Sequence, residues 1–495
     1  MDGSKQKVAG GLFWSYGERI MAQLVSLIVS IVLARLLDPE NYGVISIVMI
    51  FITLCDAIVT GGFGNAIVQK KDADELDVNT MLICSMATSA VLYIILFVSA
   101  PFIADFYQME IIRPILRVLG LRLLISGVNS IQRAWIQKRM LFKRFFISTS
   151  FGTIISAIVG ISMAYMGAGA WALVGQYLTN SFIDTVVLFI TNDWRPKLQF
   201  SFNRAKQMLS YGWKVLLTTV VYTIEGDFRS LIVGKQFGSA DLAYYDQGKK
   251  FPNLLVSNIN TSISNVMFPA LSQCQDDQVK LKRMCRRAVK TGIYLLAPLL
   301  IGLIGIADTF VIAILSEKWA PCIPYLRILT LVFLVRPFTT TCQQSILSVG
   351  RSDVTLKIEV VVNIVAIGIL FLAVFGLKSV LWVAYGTLIA EIVSLGMFMY
   401  FENKIIGYTY KEQLQDLLPG IGLSVCMGML VYLIRFMPVK DSVALIIQIV
   451  VGAVFYLAAS YLLKLDSFVY LVKMLEEKVH SNKIRKILER LARDK

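Results

Sequence analysis

The chain reads as an all-α integral membrane protein of about 14 transmembrane helices, and three observations lead there. It is 56% hydrophobic and only 16% charged, whereas soluble domains carry about a quarter charged residues. Apolar stretches of about 18 residues or more, long enough to cross a bilayer, recur from end to end. Basic residues also alternate between rich and poor loops. At about 20 residues per crossing, the 495 residues leave no room for a large extramembrane domain.

The apolar runs lie at roughly 12–34, 42–68, 79–103, 114–134, 145–166, 169–191, 208–234, 242–270, 291–315, 323–348, 354–376, 379–401, 415–437 and 442–463. The first is interrupted by Glu18 and Arg19 and lacks a small-residue cleavage site, so it is expected to stay as helix one rather than leave as a signal peptide. An even number of crossings puts both termini on one side. Counted from a cytoplasmic N-terminus, the inside segments hold Lys70 and Lys71, a cluster from Arg133 to Arg144, another from Lys280 to Lys290, and a basic tail; the outside loops hold few cations, among them Arg35, Arg113 and Lys318. The positive-inside rule then places both termini in the cytoplasm. That asymmetry accounts for most of the net charge of +15, so no nucleic-acid partner is implied. The tail 465–495 alternates apolar and basic residues and suits an amphipathic helix on anionic inner-leaflet lipids.

Several chemistries are disfavoured. The single histidine, His480, sits in the charged tail, so neither a Ser-His-Asp triad nor a His-ligated zinc has an imidazole to use. The seven cysteines form no C-x-x-C pair and mostly lie in apolar runs, where a thiol packs as a small hydrophobe. No enzyme activity, metal or cofactor is expected. Gly167-Ala-Gly169-Ala-Trp-Ala172 matches a dinucleotide fingerprint, but that motif requires a βαβ unit; here it joins two membrane helices as a tight hairpin.

A weak internal repeat of roughly 200 residues suggests duplication of the kind common in secondary transporters. Ser15-Tyr16-Gly17 followed by Arg19 recurs as Ser210-Tyr211-Gly212 followed by Lys214, and Gly167 with Ala170 resembles Gly376 with Ser379. The expected organisation is an N-terminal lobe over 1–191, a cytoplasmic linker over 192–207, a C-terminal lobe over 208–402, two further helices over 403–464, and the tail.

Ionisable residues inside spans usually face the bundle interior or a wet cavity. In span one, Ser15, Arg19, Gln23, Ser26 and Ser30 fall within about 80° of one another at helical period. In span seven, Ser210, Lys214, Thr218, Tyr222, Glu225 and Arg229 fall within about 120°, and in span eight Asp246, Lys250, Asn253, Ser257, Asn260 and Ser264 within about 80°. Three long polar faces predict a hydrated cavity. Arg19, Lys214, Gln23, Lys250, Asn253, Asn260, Arg229 and Glu225 are the candidate substrate-binding residues. Asp56, Asp227 and Glu391 are candidates for coupling to H+ or Na+. For an isolated Ser, Thr or Asn, hydrogen bonding between helices is the competing account. Arg122, Arg336, Lys249 and Glu359 also lie within spans, as cavity residues or members of structural ion pairs. Pro252, Pro298, Pro337 and Pro419 lie inside spans and are expected to bend them.

Leu33-Ala-Arg-Leu-Leu-Asp-Pro-Glu-Asn-Tyr-Gly43 resembles the signature of bacterial polysaccharide flippases. Gln137-Lys-Arg-Met-Leu-Phe-Lys143, Gly169-Ala-Trp-Ala-Leu-Val174, Trp194-Arg-Pro-Lys-Leu198 and Phe268-Pro-Ala-Leu-Ser-Gln273 stand where that family has similar segments. The resemblance covers nearly the whole chain and is to the polysaccharide transport family of the multidrug/oligosaccharidyl-lipid/polysaccharide exporter superfamily, which includes O-antigen exporters. It implies two pseudo-symmetric six-helix lobes around a central cavity plus two C-terminal helices. It also implies flipping of undecaprenyl-diphosphate-linked repeat units across the bacterial cytoplasmic membrane by alternating access. The alternatives are a multidrug and toxin extrusion cation antiporter and a lipid II flippase. The stripes hold Arg19, Lys214, Arg229 and Lys250 against Glu225 and Asp246, a net-basic wall that favours an anion.

Reporter fusions at Lys71, Lys143, Lys206 and Lys282 should report cytoplasm, and fusions near Pro39, Gly238 and Lys378 the outside. An outside signal from the Lys143 loop would overturn the topology.

Overall fold

The structure, a computed structural model, describes residues 17, 21–70, 72–274 and 277–478. Helix follows helix: α1 Met21–Leu36, α2 Pro39–Gly61, α3 Phe63–Gln69, α4 Glu75–Tyr107, α5 Ile112–Leu119, α6 Arg122–Lys138, α7 Phe142–Tyr165, α8 Ala170–Thr191, α9 Phe202–Phe237, α10 Ser239–Ser272, α11 Gln278–Phe310, α12 Ile323–Ser348, α13 Ser352–Phe371, α14 Val380–Ile406, α15 Tyr410–Leu433, α16 Asp441–Leu462 and α17 Asp466–Lys478. The fold is all-α among the described residues.

Eleven helical stretches there are long and apolar enough to cross a membrane, and they coincide with the expected spans two to six and nine to fourteen. Spans one, seven and eight are the remaining three. Span one corresponds to α1, an apolar helix preceded by residues outside the described set. Spans seven and eight form α9 and α10, 36 and 34 residues long, ample for a crossing but too polar to rank with the eleven. The three exceptions are the helices that carry the polar stripes.

The chain divides by contact into two compact units, Met1–Ala243 and Tyr244–Lys495. This division groups α9 with the first unit, whereas the expected lobes were drawn at the 192–207 linker from the repeat. Within the first unit α9 packs along α2, α3 and α4. Backbones come very close here: a Cβ on Gly43 of α2 would fall 1.8 Å from the carbonyl oxygen of Ser239, the first residue of α10, and one on Gly212 of α9 would fall 2.8 Å from that of Gly62, between α2 and α3. The hairpin between α7 and α8 turns on Gly167 at φ +76° and Gly169 at φ +55°, conformations that glycine adopts without strain. The Gly-rich motif therefore builds a turn. Trp194 leaves the otherwise extended 192–201 segment to bury itself among Phe63, Met81, Ile131 and Trp135.

The second unit is organised around α11, which packs on α12 and α15. Its core joins Val289, Ile293, Phe338, Ile346, Phe398 and Leu417. Pro252, Pro298, Pro337 and Pro419 all lie inside helices that continue past them. The expected amphipathic helix forms over α17, yet Phe468 and Leu471 pack on the cluster of Tyr294, Met427 and Tyr456. Part of its apolar face is thus spent on protein. The tail beyond Lys478, including His480, lies outside the described residues, as do Lys71 and Arg19.

Gly43→Ala should lower stability by about 1–3 kcal/mol through overpacking, read as a lower thermal midpoint in detergent. Gly396→Ala, where an added Cβ meets nothing within 4 Å, should be neutral or slightly stabilising. Equal midpoints for the two variants would refute the close approach.

Candidate functional site

A polar pocket of about 370 Å³ opens inside the first unit, among α2, α3, α6 and α8. Helix α6 supplies its longest wall: Arg122, Ser126, Asn129, Arg133 and Gln137 line it and fall within about 80° at helical period. Asp56 and Thr60 face it from α2, Asn65 from α3, and Asn180, Ser181 and Asp184 from α8. All these helices belong to stretches that qualify as membrane crossings. A wall of this polarity inside a membrane protein marks a hydrated or ligand-holding space.

One half of the pocket is tightly bonded. Arg133 donates from Nη2 to Asp184 Oδ2 at 3.0 Å and from Nε to Asn129 Oδ1 at 3.0 Å. Asn129 Nδ2 donates to the same Asp184 oxygen and to Thr185 Oγ1, each at 2.9 Å. Asp184 is 7% exposed, so its charge is held by a cation and an amide, as a buried carboxylate must be. The Arg133 guanidinium also lies 5.3 Å from the Phe145 ring centroid.

The other half is chemically open. The buried Asp56 Oδ1 and Arg122 Nε have no hydrogen-bond partner, nor has Asp184 Oδ1. The only hydrogen bond of the Arg122 side chain among the described residues is a weak one, from Nη1 to Met49 Sδ at 3.9 Å. A guanidinium with free donors suits a phosphate or carboxylate, and a carboxylate with a free oxygen suits a sugar hydroxyl or a cation. Amides and hydroxyls around them replace hydration lost by a polar solute.

The sequence-predicted residues distribute unevenly. Asp56 is in the pocket, together with Arg122. Gln23 on α1 and Glu391 on α14 are half-buried and engaged in interactions. Arg229 on α9 is half-buried. Lys214, Glu225 and Asp227 lie on α9 with side chains outside the described set, and Arg19 is outside it altogether. On α10, Lys250 is half-buried and engaged, Asn253 is exposed, and Asn260 Oδ1 is buried without a hydrogen-bond partner. The α6 wall is not among the three sequence-predicted stripes, although the same angular arithmetic applied to span four finds it.

One thiol and carboxylate group among the described residues comes close enough to bracket an ion: Cys285, Cys342 and Glu402, with ligand atoms all within 4.8 Å of one another and all buried. Both thiols belong to the apolar core with Phe338, Ile346 and Phe398, the setting of packed thiols rather than of an open coordination site.

Comparison with known proteins agrees with this architecture. The profile of the family described as "Polysaccharide biosynthesis protein" matches residues 32–324. The lipopolysaccharide biosynthesis protein WzxC of Escherichia coli is 23% identical over 439 residues, covering 86% of this chain and 88% of that protein. The teichuronic acid biosynthesis protein TuaB of Bacillus subtilis is 24% identical over 402 residues, covering 80% of this chain and 83% of TuaB. The fold is that of the lipid II flippase MurJ in an inward closed conformation, at a TM-score of 0.73 and 17% identity over 91% of this chain and 98% of that one. An inward-facing MATE-family transporter of the MOP superfamily shares it at a TM-score of 0.61 and 16% identity, over 78% of this chain and 95% of that one. With the family profile matching more than half of its length, the chain belongs to the polysaccharide biosynthesis protein family, as a multi-pass membrane protein of the two-lobe fold seen in MOP transporters.

Proposed function

We propose that the chain is a flippase that carries undecaprenyl-diphosphate-linked oligosaccharide repeat units from the inner to the outer leaflet of the bacterial cytoplasmic membrane, for surface polysaccharide synthesis. The observation that carries the reading is the membrane-embedded pocket whose wall combines Arg122 with amides, hydroxyls and Asp56. Such a wall offers donors to a diphosphate and both donors and acceptors to sugars. The family match and the relatives named for lipopolysaccharide and teichuronic acid biosynthesis support it. The lobes 1–191 and 208–402 are the moving bodies of an alternating-access cycle, with both termini in the cytoplasm and no covalent chemistry required of the protein.

Arg19 and Lys214 take the diphosphate in this scheme, one from each repeat, and Gln23, Arg229, Glu225, Lys250, Asn253 and Asn260 line the route. Asp56, whose Oδ1 is unpaired, is the foremost position for H+ or Na+ coupling, ahead of Asp227 and Glu391. The cation-antiporter and lipid II readings share the fold. They differ from this one in the cargo the polar walls accept.

Deletion of the gene should leave lipid-linked repeat units on the cytoplasmic leaflet and remove a surface polysaccharide, without raising sensitivity to cationic drugs. Complementation by Arg122→Gln should lower export roughly tenfold, the loss of one charge-assisted contact of about 1.5–3 kcal/mol. Arg19→Glu and Lys214→Glu should nearly abolish it at normal membrane levels. Wild-type polysaccharide with increased dye retention in the deletion strain would select the antiporter. Full export by all three variants would clear these cations of any part in cargo binding.

A further inference from the structure

A second groove, of about 590 Å³, lies in the second unit between the first four turns of α11 and helix α17. Lys282, Arg283, Arg286, Arg287 and Lys290 line one side of it and Tyr470 the other. The transport reading uses none of them. The spacing 282/283, 286/287, 290 puts all five cations on one face of α11.

Three of the five are committed to carboxylates. Lys282 Nζ lies 2.7 Å from Glu412. Arg286 grips Asp416 with Nε and Nη2 at 2.6 and 2.9 Å and reaches Glu412 at 2.9 Å. Lys290 lies 3.1 Å from Asp416 and 3.7 Å from Asp466. Arg283 and Arg287 are both exposed, and neither has a carboxylate within salt-bridge distance among the described residues. They stand four residues apart, where like charges repel along a helix. The Arg287 guanidinium is stacked 3.8 Å from the centroid of the Tyr470 ring, which holds its fork in one orientation. The oriented Arg287 fork and the Arg283 guanidinium one turn away, with the Ser467 hydroxyl also on the groove wall, form a receptor for an anion that can bridge them.

Position narrows the anion. The helical stretch Gln278–Leu315 has 38 residues, about 57 Å at helical rise, against a hydrocarbon core of about 30 Å. Its surplus is the basic segment before the apolar run that starts near Gly292. The groove therefore sits where the helix leaves the hydrocarbon, and α17 is pinned beside it by Phe468 and Leu471.

We propose that this groove binds the phosphate group of an anionic lipid of the adjoining leaflet, with Arg283 and Arg287 as its ligands. None of the residues assigned to the cargo route lines this groove, and the proposal does not depend on which cargo is carried. A headgroup there ties α17 to α11 and neutralises the repulsion between the two arginines. Binding to anionic lipid then weakens with salt.

The test uses the full chain in neutral detergent, titrated with short-chain phosphatidylglycerol, short-chain phosphatidylcholine and inorganic pyrophosphate. Phosphatidylglycerol should bind, phosphatidylcholine should not, and the double variant Arg283→Gln/Arg287→Gln should weaken binding by roughly tenfold or more. Arg283→Lys/Arg287→Lys, which keeps charge and loses the fork, should fall between. Both arginines are exposed and have no ion pair among the described residues, so the variants should elute as the wild type does; should the double variant aggregate, Arg283→Gln alone carries the comparison. Equal phosphatidylglycerol affinity for wild type and Gln variant would overturn the site. Pyrophosphate binding lost in that variant, without phosphatidylglycerol binding, would keep a phosphate site and overturn its assignment to lipid.

Discussion

Hydrocarbon offers a charged side chain neither partner nor solvent, and the arrangement of this chain follows from that constraint. Asp184 is the plainest case. It is nearly sealed from outside, and Arg133 and Asn129 converge on its Oδ2. Packing that satisfies one carboxylate fixes the rotation of α6 against α8. Because Arg122, Ser126 and Gln137 share a face with Arg133, that rotation also turns their side chains into the pocket. The structural ion pair and the candidate site are two consequences of one helix orientation.

How far the sequence reveals this depends on whether the signal is local. Apolar runs of crossing length are local, so eleven crossings could be read directly. The stripes of spans one, seven and eight are legible for the same reason, and those on α9 and α10 explain why these two helices fall short of the others in apolarity. The α6 stripe is equally periodic, but its meaning depends on Asp184, 51 residues away in sequence, and on Asp56 on α2. Pairing across helices has no period to read. Gly43 shows the same limit: its place in a recognisable segment was plain, while its cause, the carbonyl of Ser239 beneath it, exists only once α2 meets the start of α10.

A sequence stripe shows every ion as available, whereas the structure separates charge held in ion pairs from unpaired charge. The pocket holds Arg122 and Arg133 against Asp56 and Asp184, a balance that by itself favours neither anion nor cation. Arg133 and Asp184 largely neutralise each other at 3.0 Å, leaving Arg122 Nε and Asp56 Oδ1 unpaired. A free guanidinium and a free carboxylate oxygen in one wall suit a cargo with both anionic and hydroxyl groups better than a simple organic cation. The same accounting along α11 leaves Arg283 and Arg287 without a carboxylate partner among the described residues, while their three neighbours hold Glu412, Asp416 and Asp466.

The fold itself does not choose a cargo. A lipid II flippase and a multidrug transporter share it with this chain at 17% and 16% identity, so the helical frame tolerates replacement of most of its side chains. Function then resides in sites carried on that frame. What must persist is the geometry that lets helices approach and turn: glycine at 43 and 212 where backbones nearly touch, and at 167 and 169 where the chain reverses. What is free to change is which polar groups occupy the faces so positioned. In this chain those faces carry guanidinium, amide and hydroxyl groups beside unpaired carboxylate oxygen, and the proposed choice of cargo rests on these groups rather than on the shared scaffold.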